Sequence, residues 1–233
     1  MPLRRTAAVA ALSIALLLAA CRSSEHSGPA DGPAARPSLS NATLEKLTMV
    51  GTVAGLRVTE PAEDLLPEGS YQADKDECLP IAQLAFTNTP RPATARAVRE
   101  FSGPGELNSI VGELWVTVHQ GDDARSALDD VRKALTECSG SFKVPGAPMI
   151  YRDLEPAQAP DLGDESVGFR FTTSAFNVST PATYAVVRTD HILTTMMVIT
   201  DTIPRPLLEA QLAKLPDWGG HTKGAQRIAS ADL

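Results

Sequence analysis

The sequence predicts an α+β domain in which a mostly antiparallel sheet packs against helices, and three stretches carry that reading. Residues 166–173 alternate strictly, with Val167, Phe169 and Phe171 on one side and Gly168, Arg170 and Thr172 on the other, the period of a strand. Residues 183–188 and 191–199 are two β-rich runs around Thr189 and Asp190, which read as a hairpin. Residues 122–139 place Ala124, Leu128, Val131, Leu135 and Cys138 at a 4-3-4-3 spacing, the apolar stripe of a helix. Strands, a helix, a meander and a closing helix, in that order, describe a sheet with helices laid against it.

In chain order, Ser40 or Asn41 caps a short helix through Met49, with Leu44, Leu47 and Val50 on its inner side. Residues 53–61 are a short extended piece. Residues 60–77 are acidic and broken by Pro61, Pro67 and Gly69, and a second short helix runs over residues 77–84 around Cys78. Residues 87–105 are loop-like, with a short strand at 95–101. Residues 109–120 alternate: Ile110, Leu114, Val116 and Val118 point one way, and Glu113, Trp115, Thr117 and His119 the other, as in a half-buried strand. Asp122 is a fitting N-cap for the main helix and Gly140 a fitting end to it. Short strands follow at 142–145 and 149–154, then a loop at 156–163. The run 191–199 is apolar on both faces through Ile192, Leu193, Met196, Met197, Val198 and Ile199, as a central strand covered on both sides would be. Thr202 caps a last helix with Pro204 near its first turn and a stripe of Leu208, Leu212 and Leu215. Trp218-Gly219-Gly220 ends the fold.

The amino terminus has its own pattern. Arg4 and Arg5 precede an apolar run from Ala7 to Ala20 broken only by Ser13, the basic and apolar regions of an export signal. The run is shorter than the ~20 residues a membrane-spanning helix needs. It ends in Leu18-Ala19-Ala20-Cys21, which resembles the lipobox of bacterial lipoprotein signal peptides. That resemblance implies cleavage before Cys21, a diacylglycerol thioether on its sulfur, and usually a further acyl chain such as palmitate on the new amino group. Two or three chains hold a protein firmly where one does not. The alternative is ordinary secretion with Cys21 a spare thiol. With Cys21 lipidated, Cys78 and Cys138 remain, an even pair in an exported protein. That arithmetic predicts a Cys78–Cys138 disulfide closing the domain, two buried free thiols being the alternative. The expected organisation is a signal at 1–20, lipidated Cys21 and a Ser/Gly/Pro-rich tether over 21–40, an α+β domain at 41–220 and a polar tail at 221–233.

Composition narrows the partners. The formal charge is -7, and removing Arg4 and Arg5 with the leader takes it to -9. Such a chain has no attraction for phosphate backbones, which argues against nucleic acid, and none for anionic lipid, which leaves the membrane contact to the acylated Cys21. His26, His119, His191 and His221 stand at no metal-ligand spacing, so neither a metal nor a cofactor is expected. His119 and His191 read as solvated surface residues. Neither G-x-S-x-G nor S-x-x-K occurs in the strand-turn-helix setting that nucleophilic catalysis uses. The groups Asp74, Asp76, Glu77 and Asp161, Asp164, Glu165 read as charged loops. Two side chains stand out as ligand-binding: Trp115 and Arg170, each on the less apolar side of a strand, with Gly168 leaving room beside Arg170. On an open sheet face they would line a cleft; a helix over that face would make Trp115 core.

The lipobox, the tether, two cysteines bracketing a strand-helix unit, and Asp161-Leu162-Gly163-Asp164-Glu165 before an alternating strand resemble one group. It is the actinobacterial lipoproteins similar to the extracellular sensor domain of mycobacterial PknH-type Ser/Thr kinases, and the likeness spans residues 41–219. The Ala/Arg/Pro-rich usage fits such a source. The resemblance implies a sensing or ligand-binding module with a central cleft and no enzymatic activity. The expectation is therefore a non-enzymatic lipoprotein on the extracytoplasmic face of the cell membrane, binding a small molecule, a cell-wall fragment or an envelope protein. A scaffolding protein of the envelope and a cell-wall hydrolase are the alternatives.

Overall fold

The computed structural model describes residues 39–62, 71–104 and 110–216. The leader, Cys21, the tether up to residue 38, the acidic residues 63–70, Trp218 and the tail lie outside the described residues. In chain order the elements are α1 (Asn41–Leu47), β1 (Gly51–Val53), β2 (Leu56–Thr59), α2 (Leu79–Leu84) entered through a 3-10 turn at Asp76–Cys78, β3 (Ala95–Ser102), β4 (Val111–Val118), α3 (Asp123–Glu137), β5 (Phe142–Lys143), β6 (Ile150–Ala157), β7 (Glu165–Ala175), β8 (Val178–Thr189), β9 (Ile192–Val198) and α4 (Arg205–Leu212). The predicted α+β class holds, and the nine strands form one sheet in the order β1-β2-β3-β4-β9-β8-β7-β6-β5, with every neighbouring pair antiparallel.

β9 is the middle strand, flanked by β4 and β8. That place explains its two apolar faces: Leu193 belongs to one core, Ile192, Met196 and Val198 to the other. The first core lies under α2 and α3, whose Ile81, Leu84, Leu128 and Val131 meet Trp115, Phe169 and Tyr184 from the sheet. The second lies under α1 and α4, where Leu44, Leu207 and Leu208 meet Leu114, Val116 and Phe101. Each such side chain contributes roughly 1.5–3 kcal/mol by leaving water, so the two layers hold the sheet from both sides. The disulfide forms as expected: Cys78 and Cys138 are bonded, with Cα atoms 4.9 Å apart, and pin α2 to the end of α3.

Several expectations change. β4 is not half-buried; Trp115, Thr117 and His119 are as covered as Leu114 and Val116, because helices lie on both faces. Asp122 occupies the N-cap without a side-chain cap bond, and α3 ends at Glu137, with Cys138 already extended, before Gly140 is reached. Val50 is exposed rather than inward. In α4 and just after it the predicted stripe holds, with Leu208 and Leu215 buried and Leu212 half-buried against the core, and Leu207 and Gln211 are buried beside it. Gln211 is fully buried; its Oε1 accepts from the Met49 amide at 3.0 Å and its Nε2 donates to the Leu47 carbonyl at 3.1 Å, tying α4 to the end of α1. The extended piece after α1 is a β1–β2 hairpin turning at Ala54 and Gly55, both at positive φ. β6 continues to Ala157, into the stretch read as loop, and β8 begins at Val178, five residues before the predicted start.

Candidate functional site

Aromatic residues are scarce in this chain, eleven in all, and eight of them form one connected layer on the α2–α3 face of the sheet. Register builds it. Alternation on β7 sends Phe169 and Phe171 to this face, and β8 sets Tyr184 directly opposite Phe169, stacked at 4.8 Å between centroids. Trp115, two strands away on β4, meets Tyr184 edge-on at 6.3 Å. In the other direction Tyr151 on β6 meets Phe171 edge-on at 5.6 Å and stacks on Phe142 at 4.9 Å. Phe86, after α2, tilts over Tyr151 at 6.4 Å and stacks on Tyr71 at 4.0 Å. The layer runs from the half-buried Tyr71–Phe86 stack inward to Trp115, only 1% exposed.

This layer holds polar atoms without partners. Trp115 Nε1, Tyr151 Oη and Thr195 Oγ1 are buried and make no hydrogen bond. Thr195 lies opposite Trp115 across the β4–β9 ladder, hence on the same face. An unpaired buried donor or acceptor costs about 1–3 kcal/mol, so three near one aromatic surface are an expensive arrangement for a purely structural core. Electrostatics agree. Burial pushes the Tyr151 hydroxyl up to about 12, with Tyr71 adding to the effect. Burial raises Tyr184 well above the ordinary range, helped by Glu113 and then Tyr151. Glu113, two residues before Trp115 on β4, is itself raised by burial and by the carboxylate of Glu100. Rings, neutral donors and one easily protonated carboxyl can hold an uncharged ligand with hydrogen-bonding groups; they do not compose a nucleophile with its base.

Of the two residues singled out for ligand binding, Trp115 lies inside this layer and Arg170 does not join it. Trp115 is not on an open face, because α3 and α2 cover that side. Arg170 points to the opposite side, half-exposed, and pairs with Glu155. The room expected beside Gly168 is taken by backbone: a Cβ there would stand 2.8 Å from the Ala157 carbonyl. Two open surface depressions, one along β1–β2 from Val50 to Glu60 and one over Cys138–Ser141 and Arg152–Leu154, reach neither residue.

The histidines are corrected as well. His119 and His191 are buried, not solvated, at 2% and 6% exposure. His119 bonds the Thr117 hydroxyl at 3.0 Å and the Pro92 carbonyl at 3.1 Å, and its own amide donates to the His191 carbonyl. Burial lowers the His119 pKa, which favours the neutral ring. Among the described residues no group of three His, Cys, Asp or Glu side chains could hold a metal ion.

The Gly163-Asp164-Glu165 segment acts as a clamp. Asp164 Oδ2 accepts from Arg188 at 3.0 Å and from the Asp190 amide at 2.7 Å, gripping the β8–β9 turn. Glu165 accepts from Arg132 of α3 and from Arg188, each at 2.8 Å, and these bonds hold its pKa below the usual range, that from Arg132 most strongly.

Tyr151, Tyr184, Thr195 and Glu113 escaped the sequence reading. The signal that could have found three of them was the parity of Phe169, Phe171 and Tyr184 carried across paired strands.

No protein-family model matches the chain, and no curated protein does. Among solved structures, the extracellular domain of PknH from Mycobacterium tuberculosis is similar in fold, at a TM-score of 0.50 and 11% identity over 77% of this chain and 96% of that one. An uncharacterised protein of Mycobacterium smegmatis, an ortholog of Rv0999, matches at a TM-score of 0.37 and 16% identity over 69% of this chain and 89% of that one. At this identity the likeness to the PknH domain is one of fold alone.

Proposed function

We propose that this protein is a non-enzymatic, extracytoplasmic ligand-binding or sensing module, held at the membrane by lipid on Cys21. The observation that carries the ligand reading is the set of unpaired polar atoms, Trp115 Nε1, Tyr151 Oη and Thr195 Oγ1, inside the aromatic layer. A guest that brings hydrogen-bonding groups against these rings would pair them, which favours an uncharged, partly aromatic or unsaturated small molecule over a cell-wall polysaccharide. The PknH likeness supports an exported setting, and the disulfide suits an oxidising one. The lipobox supports the anchor.

The test is mass spectrometry of the protein extracted from its own membrane. An acylated Cys21 amino terminus and a co-purifying small molecule under native conditions are expected. An unacylated terminus removes the anchor; an empty protein from every envelope preparation removes the ligand.

A further inference from the structure

The β7–β8 hairpin outruns the sheet. The last β8–β9 pair is Thr183 with Val198, yet β8 begins five residues earlier, at Val178, so the hairpin reaches about 17 Å beyond its central neighbour at the rise of an extended strand. Among the described strands only β6 runs beside it, beginning at Ile150 opposite Ser174. Pro181, on the β8 edge that β9 leaves open, has no amide hydrogen to offer another strand, which blunts that edge. The arm ends in a two-residue turn, Phe176-Asn177, at φ 49° and 65°. Asparagine tolerates that conformation, but a bulky aromatic there is strained. Phe176 is 87% exposed, Val178 64% and Ile150 39%. Neither the turn nor any packing asks for a phenylalanine at this position.

Residues 173–180 carry no ionisable side chain, in a chain whose formal charge is -7. We propose that this tip is a membrane-contacting element: Phe176, with Val178 beside it, inserts into the interfacial region of the lipid bilayer. The chemistry of the tip favours lipid over protein. Its three apolar side chains expose less than half of the ~800 Å² that each partner buries in a stable protein interface, and its rim is hydroxyls together with the Arg152 guanidinium, which donates to Ser179 Oγ at 2.8 Å and suits the headgroup level of a bilayer. An uncharged arm also keeps the acidic body back from anionic headgroups. Such a small insertion is weak alone and becomes effective once a first attachment raises its local concentration. This part rests on the proposed anchor at Cys21, with 17 residues between it and Leu39 whose contour is up to ~60 Å.

The test uses the full mature protein on vesicles of phosphatidylcholine and phosphatidylglycerol, with Phe176→Trp in a Trp218→Phe background and the buried Trp115 as internal reference. Co-sedimentation reports the anchor separately. The indole at the tip is expected to shift to the blue on vesicles and to be quenched about twofold or more by lipids brominated along the acyl chain, at the 5–10 Å depth of interfacial insertion, with Trp115 unaffected. Phe176→Ser is expected to leave the unfolding temperature unchanged. A vesicle-bound protein whose tip indole stays solvent-like, or is protected without bromolipid quenching, overturns the proposal. Should Cys21 carry no lipid, coupling the amino terminus to a vesicle lipid gives the same two readouts.

Discussion

Glu113 stands directly across the β3–β4 ladder from Glu100, on the face that carries Trp115. Two carboxyls so placed repel, and Glu113 is half-buried as well, so burial first and Glu100 second lift its pKa. The folded protein therefore binds this proton more tightly than the unfolded chain. The advantage is full at low pH and is lost as pH rises from the unfolded carboxyl range, ~4.3, through the folded value. Glu113→Gln should raise the thermal midpoint at pH 7 by a few degrees and give no gain below pH 4. Thermal unfolding at the two pH values checks it; equal effects at both would show that Glu113 carries no such penalty.

Tyr151 Oη is buried and unpaired, so its removal without change of shape should help the fold. Tyr151→Phe is expected to stabilise by about 1 kcal/mol while weakening retention of the co-purifying ligand. Denaturant titration and native mass spectrometry on the same sample read the two effects. A loss of stability would mean the hydroxyl has a partner and is structural.

The Cys78–Cys138 bond closes a separation of 60 residues. Replacing both cysteines with serine should cost about 4 kcal/mol in the chain-entropy view, and should loosen the α2 region first, because α2 and the adjoining Tyr71–Phe86 stack are pinned to α3 through it. Hydrogen exchange should show residues 76–86 losing protection ahead of β9. Uniform loss across the domain would contradict this.

Gly163 has φ +67°, and a Cβ there would lie 2.4 Å from the Arg188 carbonyl. Gly163→Ala should destabilise by about 2 kcal/mol or more, by lifting Asp164 and Glu165 off Arg188. Chemical denaturation measures it. A neutral result would mean the clamp tolerates a shifted backbone.

What the sequence shows plainly, and what it hides, follows from where each signal resides. β9 was legible as a central strand because both of its faces are apolar, and the disulfide was legible from cysteine number and compartment. The Phe176-Asn177 turn was not, since it holds positive φ without a glycine. β4 read as half-buried because Glu113, Thr117 and His119 are polar residue types, and only the helices placed over them bury that face. Gln211 is hidden for the same reason: its burial depends on the Met49 amide and the Leu47 carbonyl at and just after the end of α1. In the sequence Trp115 stands alone. Its neighbours Thr195, Tyr184 and Tyr151 gather around it only because β9 and β8 insert between β4 and β7, an order that chain sequence does not display.

The most direct test of the aromatic layer as a ligand site is the Trp115 indole N–H resonance in the ¹H–¹⁵N spectrum of the Trp218→Phe protein, followed as fractions of envelope extract are added. A saturable downfield shift, with the N–H newly protected from exchange, is the predicted result. A resonance that stays in place through every fraction, with Trp115 Nε1 still unpaired, would contradict it.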